Sequence, residues 1–292
     1  MSGARDDALS HTSTREVVDW WSTAVSDIEP GVIRLRGYPV EQLIDGVGFV
    51  DTIWLMVRGD LPTRAQASLL EKALVSAVDH GPQAPSIAAA RMAATCGVGL
   101  QGAMSTGVGL LGDSHGGAGQ QCMEVLDGIR RNTLGGADLE RAVRRTLDEF
   151  RSGDRHVPGF GHRFHPRDPR RDPLLAAVQR HVDLGTVPGH HLAIAVEVEH
   201  QLAQGHTRPV PMNIDGATAV IYAELGFAPE LARGLFILSR SVGILAHSWE
   251  EHEGGRRIKG PMPPPLLAAY TGPGERAVDR GQDAEHPAPL GE

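Results

Sequence analysis

The sequence has little cysteine, few aromatic side chains and no excess of positive charge. Its two cysteines, Cys96 and Cys122, cannot build a disulfide framework, which favours a reducing compartment. Lys and Arg number 28 against 36 Asp and Glu, a net charge of −8, so the basic surface typical of nucleic-acid binding is missing. No apolar run reaches the roughly 18–20 residues that span a bilayer, and the polar, acidic N-terminus does not resemble a signal peptide. We therefore expect a soluble, cytoplasmic protein with no nucleic-acid or membrane partner.

Strand signals are scarce as well, because alternating β-branched runs are few and no Asn-Gly turn joins two of them. Helical periodicity is common instead: Leu70, Leu74 and Val78 recur on one face, and Thr63 can cap a helix that begins at Arg64. The predicted helices are Arg64–His80, Ala88–Ala94, Leu139–Arg151, His191–Gln204, Ala217–Leu225 and Pro229–Glu251. Both ends are polar and rich in Gly and Pro, so we expect them to be loose.

One of the 14 histidines lies in an unusual glycine-rich segment, 112–119, with the sequence GDSHGGAG. The glycines after His115 allow a ligand to approach the backbone closely and favour a turn or a helix start. Near a helix N-terminus the imidazole is neutral, and it is then a hydrogen-bond donor suited to an enolate oxygen. The alternative is a plain glycine turn with an exposed histidine.

A second segment, Val157–Arg170, reads VPGFGHRFHPRDPR and is rich in cations. Its proline and glycines predict a loop, and arginine forks bind carboxylates and phosphates in a bidentate manner. The segment therefore indicates an anionic ligand. The alternative is a charged loop whose groups pair with each other, for example Arg167 with Asp168.

A third candidate is Asp215, which stands between an apolar residue and a glycine in the segment Met212–Gly216. A carboxylate in a partly apolar site has a raised pKa and can act as a general base. The alternative is that Asp215 only caps the helix predicted over Ala217–Leu225.

Two further motifs have residue patterns that resemble known sites, but they lack the local structure that those sites require. His247 and His252 flank Ser-Trp-Glu-Glu, yet they are five residues apart and do not share a helix face as zinc-protease histidines do. Gly107, Gly109 and Gly112 match G-x-G-x-x-G, but no strand pattern precedes them, which argues against a dinucleotide site.

Taken together, the three candidate segments resemble the citrate synthase family. The family's Gly-aromatic-Gly-His signature, followed by Asp-Pro-Arg, stands at Gly159–His162 and Asp168–Arg170. Its His-Gly-Gly-Ala stands at His115–Ala118 and its Asn-Val/Ile-Asp at Asn213–Asp215, in the family's order. The resemblance extends over roughly residues 30–262, with further matches at Gly37-Tyr38, Gly59–Thr63 and Ser239–His247.

This resemblance implies catalytic roles for three residues. His115 matches the donor that stabilises a thioester enolate, Asp215 the base that takes the acyl methyl proton, and His162 the histidine that handles the partner acid's carbonyl or hydroxyl oxygen. The implied binding residues are His80, Arg170 and Arg240 for carboxylates, and Pro158, Gly159, Phe160 and Gly161 for coenzyme A. A carboxylate and an imidazole acting across one carbon permit enolisation without a metal, so we expect no cofactor beyond the coenzyme A thioester substrate.

The sequence also departs from the family. Gly81 stands where the family usually has Glu, and Gly260 stands where it has an arginine that reaches the neighbouring subunit's substrate. Arg256, Arg257 or Lys259 are the candidates to replace that arginine. Citrate synthases are usually longer than this chain, and its short length and the segment 79–86 resemble the citryl-CoA lyase subgroup.

The resemblance thus implies an all-α, citrate synthase-like fold and a homodimer or higher homo-oligomer. A large helical domain is expected from residues 1–127 and 236–292, with a smaller helical domain, 128–235, inserted between them. The leading expected function is cleavage of citryl-CoA to acetyl-CoA and oxaloacetate, so the partners are a CoA thioester and a small carboxylic acid. One alternative is a citrate synthase or a related enzyme that condenses an acyl-CoA with a 2-oxo acid. Another is a non-catalytic homologue that binds acyl-CoA or a carboxylate.

Overall fold

The computed structural model describes residues 16–161, 166–204, 210–260, 266 and 269–275. Its strands are Ser26–Glu29 (β1), Val32–Leu35 (β2) and Tyr38–Pro39 (β3). The helices that follow are Val40–Gly46 (α1), Phe49–Arg58 (α2), Arg64–Ala77 (α3), Pro85–Thr95 (α4), Leu100–Gly109 (α5), Ala118–Leu134 (α6), Leu139–Ser152 (α7), Arg171–Asp183 (α8), His190–Ala203 (α9), Ile214–Glu224 (α10) and Pro229–Gly254 (α11). The prediction of a mainly helical fold is therefore confirmed.

The small antiparallel sheet, in the order β1-β2-β3, was not predicted, and the predicted helices do not include α1, α2, α5, α6 or α8. Pairing of Glu29 with Val32 leaves a two-residue turn of Pro30 and Gly31, and Gly31 has φ +79°. Proline before a glycine of positive φ is a typical turn signal. The Pro30-Gly31 turn was not predicted because only Asn-Gly was considered as a hairpin signal.

The predicted helices are present, with ends that differ by a few residues. The cap predicted at Thr63 is confirmed: its Oγ accepts a hydrogen bond from the amide of Gln66, whose side chain accepts one from the amide of Thr63. This reciprocal capping box satisfies two amides that have no partner within the helix. The helix then ends at Ala77 rather than at His80, which leaves His80 in the turn after α3.

The long helix α11 packs against α3, α4, α5 and α6. Glycines allow this close packing, because a Cβ at Gly107 of α5 would lie 2.9 Å from both Ile244 Cγ2 and the carbonyl oxygen of Ser86. The G-x-G-x-x-G motif therefore starts on a helix and contributes a tight helix contact.

Two apolar clusters make up the core of the described chain. The larger joins residues of α2, α3 and α6–α10 with the start of α11, and α10 is almost entirely buried within it. The smaller consists of Ala84, Ile87, Ala90, Leu111 and Ile244. The predicted domain boundaries stay a prediction.

The structure also bears on the cysteines, on membrane-spanning helices and on the two ends of the chain. Cys96 is exposed and Cys122 is buried, and both are free thiols. None of the helices in the described ranges is both long and apolar enough to cross a membrane. The two ends that we expect to be loose lie largely outside the described residues.

Candidate active site

Four of the predicted site residues line one cleft of about 480 Å³: His80, His115, Asp215 and Arg240. They come from the turn after α3, the loop before α6, the first turn of α10 and the middle of α11. The cleft borders both apolar clusters, since its walls include Ala84 of the smaller cluster and Ile214 of the larger one. Tertiary folding thus brings together groups that are far apart in the sequence.

The imidazole of His115 meets the N-terminus of another helix. Its Nε2 lies 3.1 Å from the amide nitrogen of Ser86, which donates to it, and 2.9 Å from the Ser86 hydroxyl. A ring nitrogen that accepts an amide hydrogen carries no proton, so the neutral ring holds its proton on Nδ1. Burial lowers the pKa of His115, and the charge of Arg240 lowers it further. His115 is therefore a neutral hydrogen-bond donor.

Ser86 is a site residue that the sequence analysis did not identify. Its position right after Pro85, at the start of α4, is a recognisable helix-start signal. Nothing local, however, connects it to a histidine 29 residues away.

The alternative that Asp215 caps a helix is wrong. The N-cap is Asn213, whose Oδ1 accepts hydrogen bonds from the amides of Asp215 at 2.9 Å and Gly216 at 3.2 Å. The Asp215 carboxylate lines the cleft instead. Burial raises the pKa of Asp215, while the cations Arg240 and Arg170 oppose that rise. The group therefore keeps its proton to a higher pH than an ordinary aspartate does.

Arg240 is buried between the cleft and the end of α3. Its Nε donates to the carbonyl oxygen of Ala77 at 3.0 Å, and its guanidinium stacks over the ring of Phe236 at 4.9 Å. The bond to Ala77 leaves the terminal nitrogens as the part of the fork suited to a ligand carboxylate.

Arg170 does not line the cleft. Its Nε and a terminal nitrogen bind the buried carboxylate of Asp168 at 2.9 and 2.8 Å. Burial alone would raise the pKa of Asp168, but its hydrogen bonds to Arg170 and to the amide of Ile214 bring that pKa to about 2. Arg167 pairs with Asp172 in turn. The cation-rich loop is thus partly paired with nearby acids, and Arg170 influences Asp215 through its charge.

The predicted coenzyme A segment, Pro158–Gly161, packs directly against the start of α10. Gly159 has φ +82°, and a Cβ there would lie 2.8 Å from the Cα of Gly216. The carbonyl of Gly159 accepts from the amide of Asn213 at 2.9 Å, and the amide of Gly161 donates to Pro211 at 2.7 Å. Much of this backbone is therefore bonded to the protein. Phe160 is buried.

His162, the third predicted catalytic residue, lies outside the described residues. Within the described ranges there is no group of three or more His, Cys, Asp or Glu arranged to hold a metal ion. The two histidines of the zinc-like motif have separate partners: His247 pairs with Asp79, and His252 stacks on Trp249.

Comparison with known proteins identifies the family. The sequence profile of the family "Citrate synthase, C-terminal domain" matches residues 64–261. The citrate synthase of Haloferax volcanii is 30% identical over 219 residues, which are 74% of this chain and 53% of that protein. The chain belongs to the citrate synthase family, whose members include enzymes acting on CoA thioesters. It spans about half the length of the citrate synthases that it matches.

Solved structures give the same fold. The citryl-CoA lyase of Hydrogenobacter thermophilus superposes with a TM-score of 0.77 at 29% identity, covering 88% of this chain and 97% of that one. The ATP citrate lyase of Methanothrix soehngenii, in complex with citrate and coenzyme A, gives a TM-score of 0.74 at 20% identity and covers 90% of this chain but 44% of that one. The second comparison supports the fold alone.

Proposed function

We propose that the protein is a citryl-CoA lyase-like enzyme that cleaves citryl-CoA to acetyl-CoA and oxaloacetate. The observation that carries the proposal is the cleft in which a neutral imidazole, a carboxyl group of raised pKa and a buried guanidinium face the same space. The likeness in fold to the Hydrogenobacter thermophilus lyase, at 29% identity, supports the cleavage direction.

In this reaction His162 takes the proton of the tertiary hydroxyl of citryl-CoA. The bond between the carbinol carbon and the thioester's α-carbon breaks, its electron pair passes into the thioester as an enolate, and oxaloacetate forms. The Nδ1–H of His115 donates to the enolate oxygen, and protonated Asp215 delivers its proton to the α-carbon, which gives acetyl-CoA. One proton moves to His162 and one leaves Asp215, so the step balances.

The carboxylates of the acid half are held by Arg240 and His80 at the cleft. Each desolvated carboxylate needs a cation or donor, because an unpaired buried charge is costly. The guanidinium of Arg170 is bonded to Asp168, so Arg170 contributes its positive charge to the site rather than a bidentate contact with the ligand.

The nucleotide end of coenzyme A has room beside Pro158. A second cleft, of about 650 Å³, lies between α6, α7 and the loop after α7, and its walls include Pro158. The charged side chains on these walls are Arg131 and Arg155, with the carboxylates Glu124 and Glu149, and His156 is nearby on the loop. Cations on the wall suit phosphate groups. Since the backbone of the Pro158–Gly161 segment is largely bonded internally, these side chains are the stronger candidates for phosphate contacts.

A second candidate function is condensation, as in a citrate synthase. The relatives of similar sequence are citrate synthases at about 30% identity, and the same groups serve both directions by microscopic reversibility. In condensation Asp215 is the base and His162 the acid.

The deciding experiment offers the enzyme each set of substrates separately. We expect citryl-CoA to yield acetyl-CoA and oxaloacetate faster than acetyl-CoA and oxaloacetate yield citrate and free thiol. The variant Asp215→Asn should lose about 10²–10⁴-fold in rate, because an amide keeps the shape but transfers no proton. Its coenzyme A affinity should stay close to that of the natural protein.

The opposite rate order would make the condensing enzyme the better description. Unaltered turnover by Asp215→Asn would remove Asp215 from the mechanism. Binding of CoA thioesters without turnover in either direction would favour the non-catalytic homologue.

A further inference from the structure

One face of α11 holds the end of α3 and the turn that follows it. Arg240 donates to the carbonyl of Ala77, and a Cβ at Gly243 would collide with the carbonyl oxygen of Val78. His247 lies further along the same face, and its Nε2 is 3.2 Å from the Oδ1 of Asp79. The helix therefore contacts three successive positions of the chain.

Asp79 also bonds within its own turn. Its Oδ2 accepts a hydrogen bond from the amide of Gly81 at 3.1 Å, and Gly81 has φ +87°, a conformation that favours glycine. Between these two residues His80 points to the cleft wall. One oxygen of Asp79 thus orders the turn, while the other is held by His247.

We propose that His247 is a positioning residue that acts through Asp79. It fixes the turn 79–81, so that His80 lines the cleft. This inference rests on the proposed function, since it takes the cleft as the site of the carboxylic acid.

The charges around His247 fit this role. Two carboxylates face its ring, Asp79 at Nε2 and Glu250 at 3.8 Å from Nδ1, and Glu250 also lies 3.7 Å from Arg91. Burial lowers the pKa of Arg240, and Asp79 is close enough to oppose that fall. Without His247, the Oδ1 of Asp79 loses its imidazole partner, and the Asp79 carboxylate keeps its hydrogen bond from the amide of Gly81.

The test compares His247→Ala with His247→Gln, whose amide nitrogen can donate to Asp79 much as Nε2 does. In citryl-CoA cleavage we expect His247→Ala to raise KM about tenfold, the effect of one charge-assisted hydrogen bond, with kcat nearly unchanged because the reacting atoms are untouched. His247→Gln should restore most of the loss. The matched control is His200→Ala, which removes another histidine–carboxylate pair, with Glu197 on the exposed side of α9.

A second measurement does not need turnover. Hydrogen exchange of the amides in residues 78–84 should be faster in His247→Ala than in the natural protein and slow again in His247→Gln. The proposal is overturned if His247→Ala changes neither KM nor the exchange rates. It is also overturned if His247→Ala raises KM and lowers kcat and thermal stability to a similar extent, and His247→Gln does not restore them. If the natural protein does not cleave citryl-CoA but the exchange responds as expected, the proposed function fails while the positioning role stands.

Discussion

At the scale of single residues, burial shifts the pKa values of Asp215 and His115 in opposite directions. It raises that of the acid and lowers that of the imidazole. Arg240, near both, moderates the first shift and adds to the second. A pair of titratable groups separated in this way is suited to divide donor and proton-transfer roles between them.

The protonation state of His115 is directly measurable. We expect nitrogen NMR of the labelled ring to show the neutral tautomer with the proton on Nδ1, because Nε2 accepts from Ser86. Since the pKa is below the usual 6.5, the ring should still be neutral at a pH where an ordinary histidine is half protonated. A proton on Nε2, or a cationic ring at that pH, would contradict the donor role.

At the scale of elements, Asp168 links the loop before α8 to the start of α10. Its carboxylate binds the side chain of Arg170 and the amide of Ile214, the first residue of the helix that carries Asp215. Asn213 ties the same helix to the other end of the loop, since its side-chain amide donates to the carbonyl of Gly161 at 2.6 Å. The position of Asp215 therefore depends on this loop.

The Asp168 link predicts a pH dependence of stability. Its pKa falls from 3.8 when unfolded to about 2 when folded, so the ionised form stabilises the native state by about 2 kcal/mol. That contribution is fully present above the unfolded value and is lost as the pH falls through about 2. Urea unfolding between pH 6 and 2.5 should show the loss, and Asp168→Asn should be less stable at pH 6 with a shallower pH dependence.

Asp172→Asn is the matched control, because its carboxylate is about half exposed although it pairs with Arg167 and Arg171. Exposed pairs contribute about 1 kcal/mol or less. Equal effects of the two substitutions would mean that the Asp168 link does not stabilise the loop.

At the scale of the whole molecule, α11 presents an apolar stripe on the side away from Arg240 and His247. The stripe consists of Leu238, Val242, Leu245 and Trp249, which are 40–58% exposed. Their spacing of four, three and four residues is that of two helices packed along a seam. Exposed apolar stripes of this kind mark protein–protein contacts, and the stripe is therefore where we expect two copies of the chain to meet in the homodimer that the family resemblance implies.

A charge in the stripe should prevent dimer formation. We expect the natural protein to sediment as a dimer in analytical ultracentrifugation and Val242→Asp to shift toward monomer, because a desolvated carboxylate at the seam has no partner. The control is Val75→Asp, at a valine of α3 that is 63% exposed. A monomeric natural protein, or a dimer that tolerates Val242→Asp, would contradict this interface.

The segment after α11 bears on the choice of acid. Lys259 and Arg256 lie 3.4 and 3.9 Å from the buried carboxylate of Glu251, which also binds Arg91. Two of the three candidates to replace the arginine absent at position 260 are thus held within their own chain. Arg257 is the candidate that the Glu251 cluster leaves available.

If Arg257 does not take the place of the absent arginine, we expect weak binding of free citrate and tighter binding of citryl-CoA, in which one carboxylate is masked as the thioester. Gly260→Arg should strengthen citrate binding by about 1–3 kcal/mol, the range of a charge-assisted hydrogen bond. Isothermal titration of both proteins with citrate measures the difference. Tight citrate binding by the natural protein would favour citrate synthase over citryl-CoA lyase as its function.

The sequence by itself determined the helical class, six of the eleven described helices and the segments that carry the candidate site. These features depend on local energies. Apolar periodicity, caps such as Thr63, and glycines at positive φ can all be predicted from a few neighbouring residues. The family motifs also led to the four residues that line the cleft. The roles assigned to them stay predictions.

Only the tertiary structure decided which groups contact each other. It paired His115 with Ser86, held Asp79 by His247, closed Arg170 onto Asp168 and gave the cap of α10 to Asn213 rather than Asp215. The physical reason is that such contacts depend on packing between elements, as where Gly243 lets α11 approach the turn after α3. The number of residues between two positions in the sequence does not determine how far apart those positions lie in the folded protein.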